Sequence, residues 1–441
     1  MKKHVVPPSG GQSSAALQAE PPKGGTTNLR VAVVGSGVAG LTATHILQRK
    51  HQVTLFEKDS RLGGHTNTVT LSDGTDAGTP IDTGFIVMNH RNYPLLTQLF
   101  EQLDVELRDS DMSFGYHDLP SGLQYCGSGL DGLFAQRMNL FKPSFHRLVR
   151  DTMRFFKTAE VDRNSDELIA ESLGDYLSRN GFGQEFIDHH LIPMGSAIWS
   201  TPCEQMMEFP ARSFLQFFHN HGLLTVNDRP QWRTVVGGSS DYIGRMQKNW
   251  ERVDVRMNAG IRGIKRDAEG VEITFEDGHF EHFDQVVVAT HGDQALNLLL
   301  DPSEQEKEAL GCWQYTTSRT LLHTDESVMP PIRKVWSSWN FQRLEGNRTC
   351  LTYHMNRLQG LATEKQYFVS LNLPREPEGV IREFNYTHPM YTREALAKRP
   401  LLKELNGSNN TWFAGSYHGN GFHEDAVRSA VEVAKGFGLD L

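Results

Sequence analysis

The segment Gly35-Ser36-Gly37-Val38-Ala39-Gly40 constrains this chain more than any other, because it matches GxGxxG between an apolar run and a helical one. Residues 29–34 (LRVAVV) read as a buried parallel strand. Residues 38–48 place Leu41, Ile46 and Leu47 on a helix, and residues 52–56 supply a second strand that closes a βαβ unit. Each glycine has a physical task. Gly35 permits a tight turn, Gly37 lets the backbone approach a pyrophosphate, and Gly40 lets helix and strand pack closely. The phosphates then lie over the first helical turn at Val38 and Ala39, where free N–H groups and the helix dipole favour negative charge. Glu57 ends the second strand, where an acidic side chain accepts hydrogen bonds from ribose hydroxyls and repels a 2′-phosphate.

The run from Glu57 to Gly64 (Glu57-Lys58-Asp59-Ser60-Arg61-Leu62-Gly63-Gly64) has the form E-x5-G-G with a basic residue before the glycines. It resembles the extended fingerprint of flavin enzymes with two dinucleotide-binding domains. That resemblance implies non-covalent FAD, with Arg61 on a phosphate, Gly63 and Gly64 beside the pyrophosphate, and Lys58 among the contacts. Residues 258–264 and 286–290 resemble the second nucleotide-contacting segment of these enzymes, which would bring the Ile261 backbone to the adenine and Ala289 and Thr290 near the dinucleotide. The run Phe413-Ala414-Gly415-Ser416 and then Gly421-Phe422-His423-Glu424-Asp425-Ala426 resembles their closing flavin motif. There Gly415, Ser416, Gly421, Phe422 and His423 would lie along the ribityl chain and flavin, with a helix N-terminus stabilising negative charge on the reduced ring.

The expected fold class is α/β: a two-dinucleotide-binding, Rossmann-like FAD domain, and a substrate domain combining a helical insert with a mixed sheet. We assign residues 29–110, 230–300 and 405–441 to the FAD domain, and 111–229 and 301–404 to the substrate domain. Phenylalanines at helical spacing make 111–229 read as mainly helical. Strand patterns return at 253–283 and 286–290, and runs at 334–339, 350–353 and 367–373 read as a second sheet. Residues 1–28, rich in proline, glycine and serine, read as a flexible tail and not a signal peptide, since no apolar core follows the opening lysines.

Bulk properties exclude some functions. A net charge of −9 argues against a nucleic-acid binder, and no stretch approaches the roughly 18 apolar residues of a membrane span. The four cysteines have no CxxC or metal spacing, so they read as free thiols in the cytoplasm. Neither His189-His190 nor the His219/His221 pair has the one-turn spacing of a helical metal site. No metal is expected.

The cofactor segments resemble flavin amine oxidases and phytoene desaturases, with three departures. No cysteine lies in 415–421 for a covalent flavin link. Residues 315–323, comparable to the strand carrying a lysine near flavin N5, have no lysine and only Arg319 as a strong base. Asp425 stands where the family often has glycine. Residues 84–89, 232–239, 336–340, 353–359 and 422–425 resemble a group of bacterial predicted NAD/FAD-binding oxidoreductases encoded near cyclopropane-fatty-acid synthases, which implies an acyl-chain substrate. A related flavin enzyme isomerises polyunsaturated fatty acids. The readings are therefore hydride removal from an apolar acyl chain with oxygen or a carrier as electron acceptor, double-bond isomerisation, amine oxidation, or a flavoprotein that has lost its chemistry. Candidate reactive groups are His423, Glu424 and Arg319, and candidate substrate contacts are Trp336, Tyr353 and His388. The insert's phenylalanines serve a tunnel or a core. Its basic residues (Arg137, Lys142, Arg147, Arg150, Arg154 and Lys157) meet either solvent or anionic head groups of the inner membrane surface.

Overall fold

The computed structural model describes residues 28–199, 201–225, 229–345 and 348–441; the expected flexible tail lies outside them except for Asn28. Five parallel strands form the first sheet, in the order Thr411–Phe413, Gln285–Val288, Arg30–Val34, Gln52–Phe56 and Val253–Arg256. The first strand is apolar throughout its interior because both its faces are covered. Val31 and Val33 pack with Leu41 and Ile46 of the helix Val38–Leu47 and with Ala430 of the helix His423–Gly436. Ala32 and Val34 point the other way, into a cluster with Ile273 and Phe275 of a three-stranded antiparallel sheet.

The second large sheet has seven strands, in the order Arg382–Pro389, Tyr315–His323, Phe368–Leu371, Thr349–His354, Trp339–Arg343, Phe114–Asp118 and Leu123–Cys126. It is mixed, since Trp339–Arg343 and Phe114–Asp118 run parallel while its other neighbours are antiparallel. Helices begin only at Gly129, so the reading of 111–229 as mainly helical is corrected at its start. The hairpin is stabilised by pairing with the distant strand Trp339–Arg343, which local periodicity does not reveal. A second correction concerns 334–339, where a short 3-10 turn, Arg333–Val335, precedes a strand that starts at Trp339.

The insert itself is helical, with Pro143–Asp162, Leu173–Arg179, Ile192–Trp199 and Ala211–Asn220 as its main elements. Phe155, Phe186, Phe214 and Phe218 are fully or almost fully buried in one cluster, so they form the insert's core. Phe141 departs from that pattern and stands exposed.

Candidate active site

The glycine loop is shaped by close approaches that only hydrogen tolerates. Gly35 adopts φ +99° at the end of the first strand, and a Cβ there would lie 2.8 Å from the Ala289 carbonyl oxygen. At Gly40 a Cβ would lie 1.9 Å from the Gly35 oxygen, which is the tight helix–strand contact expected of the third glycine. Gly37 differs, because a Cβ would meet nothing within 4 Å. Open space therefore lies over the N-terminus of the helix Val38–Leu47, which no side chain caps and whose first turn holds no acidic residue.

Glu57 is buried at the end of the second strand. Its Oε2 accepts hydrogen bonds from the Ser36 N–H at 2.9 Å and the Ser36 hydroxyl at 2.5 Å, and its Oε1 accepts from Asp59 N–H at 2.9 Å. The carboxylate thus braces the glycine loop from beneath. Gly63 and Gly64 take φ +115° and +56°, and Gly64 passes beside Gly37, a Cβ on it falling 3.3 Å from the Gly37 Cα. Arg61 folds back over this turn, donating to the carbonyls of Gly64 at 2.7 Å and Thr66 at 3.1 Å. Lys58 is exposed. Thr290 bridges two parts of the site, its methyl lying against Gly35 and its carbonyl oxygen against Gly415. The Ile261 N–H is engaged by the Ala259 oxygen at 3.0 Å, while Ala259 N–H binds the Glu57 carbonyl at 2.8 Å. Loop, second strand and hairpin are thereby tied together.

The closing segment is tied from inside. Gly415 N–H donates to the Ser429 hydroxyl, Gly421 (φ +92°) donates to the Ser416 oxygen, and Asp425 accepts from the N–H groups of Asn420 and Phe422. Asp425 therefore caps its own helix, with Arg428 balancing its charge at 2.9 Å. Glu424 does not face the presumed flavin, which corrects its reading as a proton donor. It is buried, and its two oxygens accept from Leu95 N–H at 3.2 Å and Leu96 N–H at 3.0 Å, at the N-terminus of the helix Pro94–Gln102. It clamps one helix to the start of another. Burial raises its carboxyl above the usual range, against the opposing pull of those N–H groups.

His423 does point inward. It stacks on Phe85 and places Nε2 3.1 Å from the Thr66 hydroxyl, which also lies 2.6 Å from the Tyr242 hydroxyl. Three further imidazoles lie nearby. His65 has ring centroids 5.1 Å from His388, 5.1 Å from Tyr386 and 6.4 Å from His291. His291 stacks on Tyr315 at 4.3 Å. His65 hydrogen-bonds the Thr387 backbone, while its Nε2, the Nδ1 of His388 and the hydroxyls of Tyr391 and Tyr417 are buried without a partner among the described residues. Burial pushes His65 and His291 down to about 4, and His388 and His423 down to about 3, with Arg61 adding to the effect on His65 and Lys58 to that on His291. At neutral pH these four are uncharged.

Sequence reasoning named His423 and His388 but missed His65, Thr66 and His291. A signal was present, because His65 follows Gly64 directly and His291 follows Thr290, both already assigned to the cofactor. Among the described residues no group of three or more His, Cys, Asp or Glu is arranged to hold a metal.

The seven-stranded sheet extends away from this cluster with one face apolar. Register and the two-residue pleat put Tyr386 and His388 on the same face as the row Thr320, Leu371, Leu351, Phe341, Tyr116 and Tyr125. A second row on that face runs Leu322, Val369, Tyr353, Trp339 and Phe114. The seven strands span about 29 Å at the usual interstrand spacing. Tyr353 is thus on the site's face, three strands from His388, and packs edge-on against Trp339 at 4.9 Å.

Two candidates lie elsewhere. Arg319 pairs in register with Asn385, on the opposite side of the pleat from Tyr386, and binds Glu383 and Glu376 at the surface at 2.8 and 2.9 Å. Trp336 precedes its strand, donates to the Pro330 oxygen and packs on Phe368 and His354, which belong to the sheet's other face. Both readings are corrected by the pleat.

An uncapped helix N-terminus beneath open space, a buried acid at the second strand's end and unpartnered buried polar atoms beyond Gly64 and Gly421 fit a dinucleotide carrying a flavin. Comparison with known proteins agrees. The family model described as flavin containing amine oxidoreductase matches residues 38–436. An L-amino-acid oxidase of Siganus canaliculatus is 25% identical over 321 residues, covering 68% of this chain and 58% of that protein, so the chain spans less than two thirds of its length. Among solved structures, a CLA-producing fatty acid isomerase from P. acnes superposes with a TM-score of 0.66 at 15% identity, covering 92% of this chain and 97% of that one. Cyclohexylamine oxidase from Brevibacterium oxydans IH-35A gives 0.66 at 14% identity, covering 93% and 99%. These structural likenesses concern the fold.

Proposed function

The chain belongs to the flavin-containing amine oxidoreductase family, and from that premise we propose that it is an FAD-dependent oxidoreductase that removes hydride from an apolar, acyl-chain substrate. The carrying observation is the single sheet face that joins the neutral histidine cluster at Tyr386 and His388 to Leu371, Leu351, Phe341 and Tyr353. Such a face suits a hydrocarbon chain, and the rows named offer a cationic amine aromatic rings but no carboxylate. The resemblance to oxidoreductases encoded near cyclopropane-fatty-acid synthases supports the same class of substrate.

In this reading residues 29–110, 230–300 and 405–441 hold the cofactor, and 111–229 and 301–404 hold the substrate. FAD is held non-covalently, with Gly37, Val38 and Ala39 beneath its phosphates and Glu57 at its ribose; the 415–421 segment offers no cysteine for a covalent link. Bound FAD supplies the two-electron hydride acceptor, reoxidised by oxygen or an electron carrier. Loss of hydride from one carbon and a proton from its neighbour leaves a carbon–carbon double bond. His65 and His423 are the imidazoles at the site that could take up that proton, though burial holds both as weak bases at about 4 and about 3. The unpaired state of Cys126, Cys203, Cys312 and Cys350 supports a cytoplasmic setting.

The test is anaerobic mixing of the FAD-loaded protein with fatty acids, phospholipids and simple amines while flavin absorbance is followed. Persistent bleaching by an acyl substrate supports the proposal. Product without lasting bleaching makes the enzyme an isomerase, in which hydride returns to the substrate. Bleaching by an amine alone overturns the acyl-chain reading.

A further inference from the structure

Eight of the fourteen large apolar side chains exposed among the described residues lie between Leu119 and Ile169, so they are concentrated and not scattered. The densest group sits at the tip formed by the helix Gly129–Leu133, the 3-10 turn Arg137–Phe141 and the start of Pro143–Asp162. There Leu130 is 75% exposed, Met138 67%, Leu140 44% and Phe141 78%. The long helix continues this surface, with His146, Arg150, Met153 and Lys157 along one exposed stripe, while Phe145, Leu148, Phe155 and Ala159 are buried on the other side.

Charge gives a second, independent indication. Residues 129–157 contain six cations (Arg137, Lys142, Arg147, Arg150, Arg154 and Lys157) and two carboxylates (Asp131 and Asp151), a net +4 in a chain of −9. Asp151 is buried, where it accepts from the Gly183 N–H at 2.9 Å and lies 3.5 Å from both Arg150 and Arg154, which leaves Lys142 and Lys157 as the cations on this stretch with no carboxylate partner among the described residues. Arg137 is paired with Asp131 and Arg147 with Glu185, but both pairs are at the surface, where they are weak and easily exchanged.

We infer that this tip docks on an anionic lipid surface, with Leu130, Met138, Leu140 and Phe141 inserted among the head groups and the arginines and lysines of the following helix against lipid phosphates. Exposed aliphatic and aromatic groups ringed by cations suit a bilayer interface, where apolar burial and electrostatic attraction act together. No helix among the described residues is long and apolar enough to cross a membrane, so the contact is peripheral. The docked tip adjoins the far end of the apolar sheet face, since Phe145 packs on both Phe134 and Tyr125 at 5.5 and 5.7 Å.

The experiment is flotation of the full-length, FAD-loaded protein with vesicles of phosphatidylcholine alone or with about a third phosphatidylglycerol, compositions chosen to isolate the charge effect. Binding to the anionic vesicles only, released by high salt, is expected. The double variant L140D/F141D should reduce it at least tenfold while keeping its flavin spectrum. F141W should show a blue-shifted emission on mixing. Absence of binding by the unaltered protein, undiminished binding by L140D/F141D, or self-association abolished by L140D/F141D in the absence of lipid would each overturn the inference, the last in favour of an interface between copies of this chain.

Discussion

The imidazole of His423 lies face to face with the ring of Phe85, centroids 3.7 Å apart and planes 16° from parallel. The stack fixes the ring while Nε2 addresses the Thr66 hydroxyl and, through it, Tyr242. A proton carrier at this place contributes about 10²-fold or more to rate. His423→Asn is expected to lower the rate of flavin reduction by about that factor in stopped flow, with FAD content unchanged. An unaltered rate would reduce His423 to a packing role.

Gly37 and Gly40 separate binding from folding. Gly37→Ala adds a methyl group to open space, so the apoprotein should melt normally while its FAD dissociation constant rises at least about tenfold, because the methyl displaces the pyrophosphate. Gly40→Ala places a methyl 1.9 Å from the Gly35 oxygen and should prevent the apoprotein from folding. Thermal melts and fluorescence titration distinguish the two.

Glu424 is expected to matter for stability and little for chemistry. Its removal leaves the buried Leu96 N–H and the half-buried Leu95 N–H unpaired, so Glu424→Ala should cost about 1–3 kcal/mol in urea denaturation. Glu424→Gln retains one acceptor oxygen and should recover part of that loss. Equal rates of flavin reduction in both variants would confirm the structural assignment, and a large loss of rate in Glu424→Gln would reverse it.

Acid should destabilise the protein. His65 and His291 titrate at about 4, and His388 and His423 at about 3, against 6.5 when unfolded. Their folded values are depressed, so the unfolded chain binds more protons as pH falls below 6.5, and stability declines from there to about 3. Each histidine contributes a slope of up to about 1.4 kcal/mol per pH unit. Urea midpoints at pH 7.5, 6 and 5 should fall progressively, and a flat series would show that the four imidazoles are open to water.

The parts of the fold legible in the sequence were those with local rules. The first two strands, their helix and the glycine loop appear where GxGxxG and Glu57 place them, because the strand–turn–helix unit is local and Gly40 answers a steric demand of Gly35 five residues before it. The hairpin at Phe114–Cys126 was not legible, since its partner strand lies more than 200 residues further on. Glu424 and Arg319 misled for a similar reason. Residue type and position along an element gave their chemistry, but only the third dimension shows that one clamps a helix and the other lies behind the pleat. The histidine cluster is gathered from four distant segments, so no spacing announces it.

The central strand Arg30–Val34 pairs on one side with Gln52–Phe56 and on the other with Gln285–Val288, and Arg30 N–H reaches Asp284 at 2.6 Å across 254 residues. Thr411–Phe413 completes that flank later still. During synthesis the glycine loop therefore emerges long before its walls. A nascent chain holds a βαβ unit with one side unsatisfied until residue 288 is made, and it cannot retain a dinucleotide until residues 411–436 arrive. Cofactor capture should be a late event in maturation, and supply of FAD after synthesis, more than during it, should govern the yield of loaded enzyme.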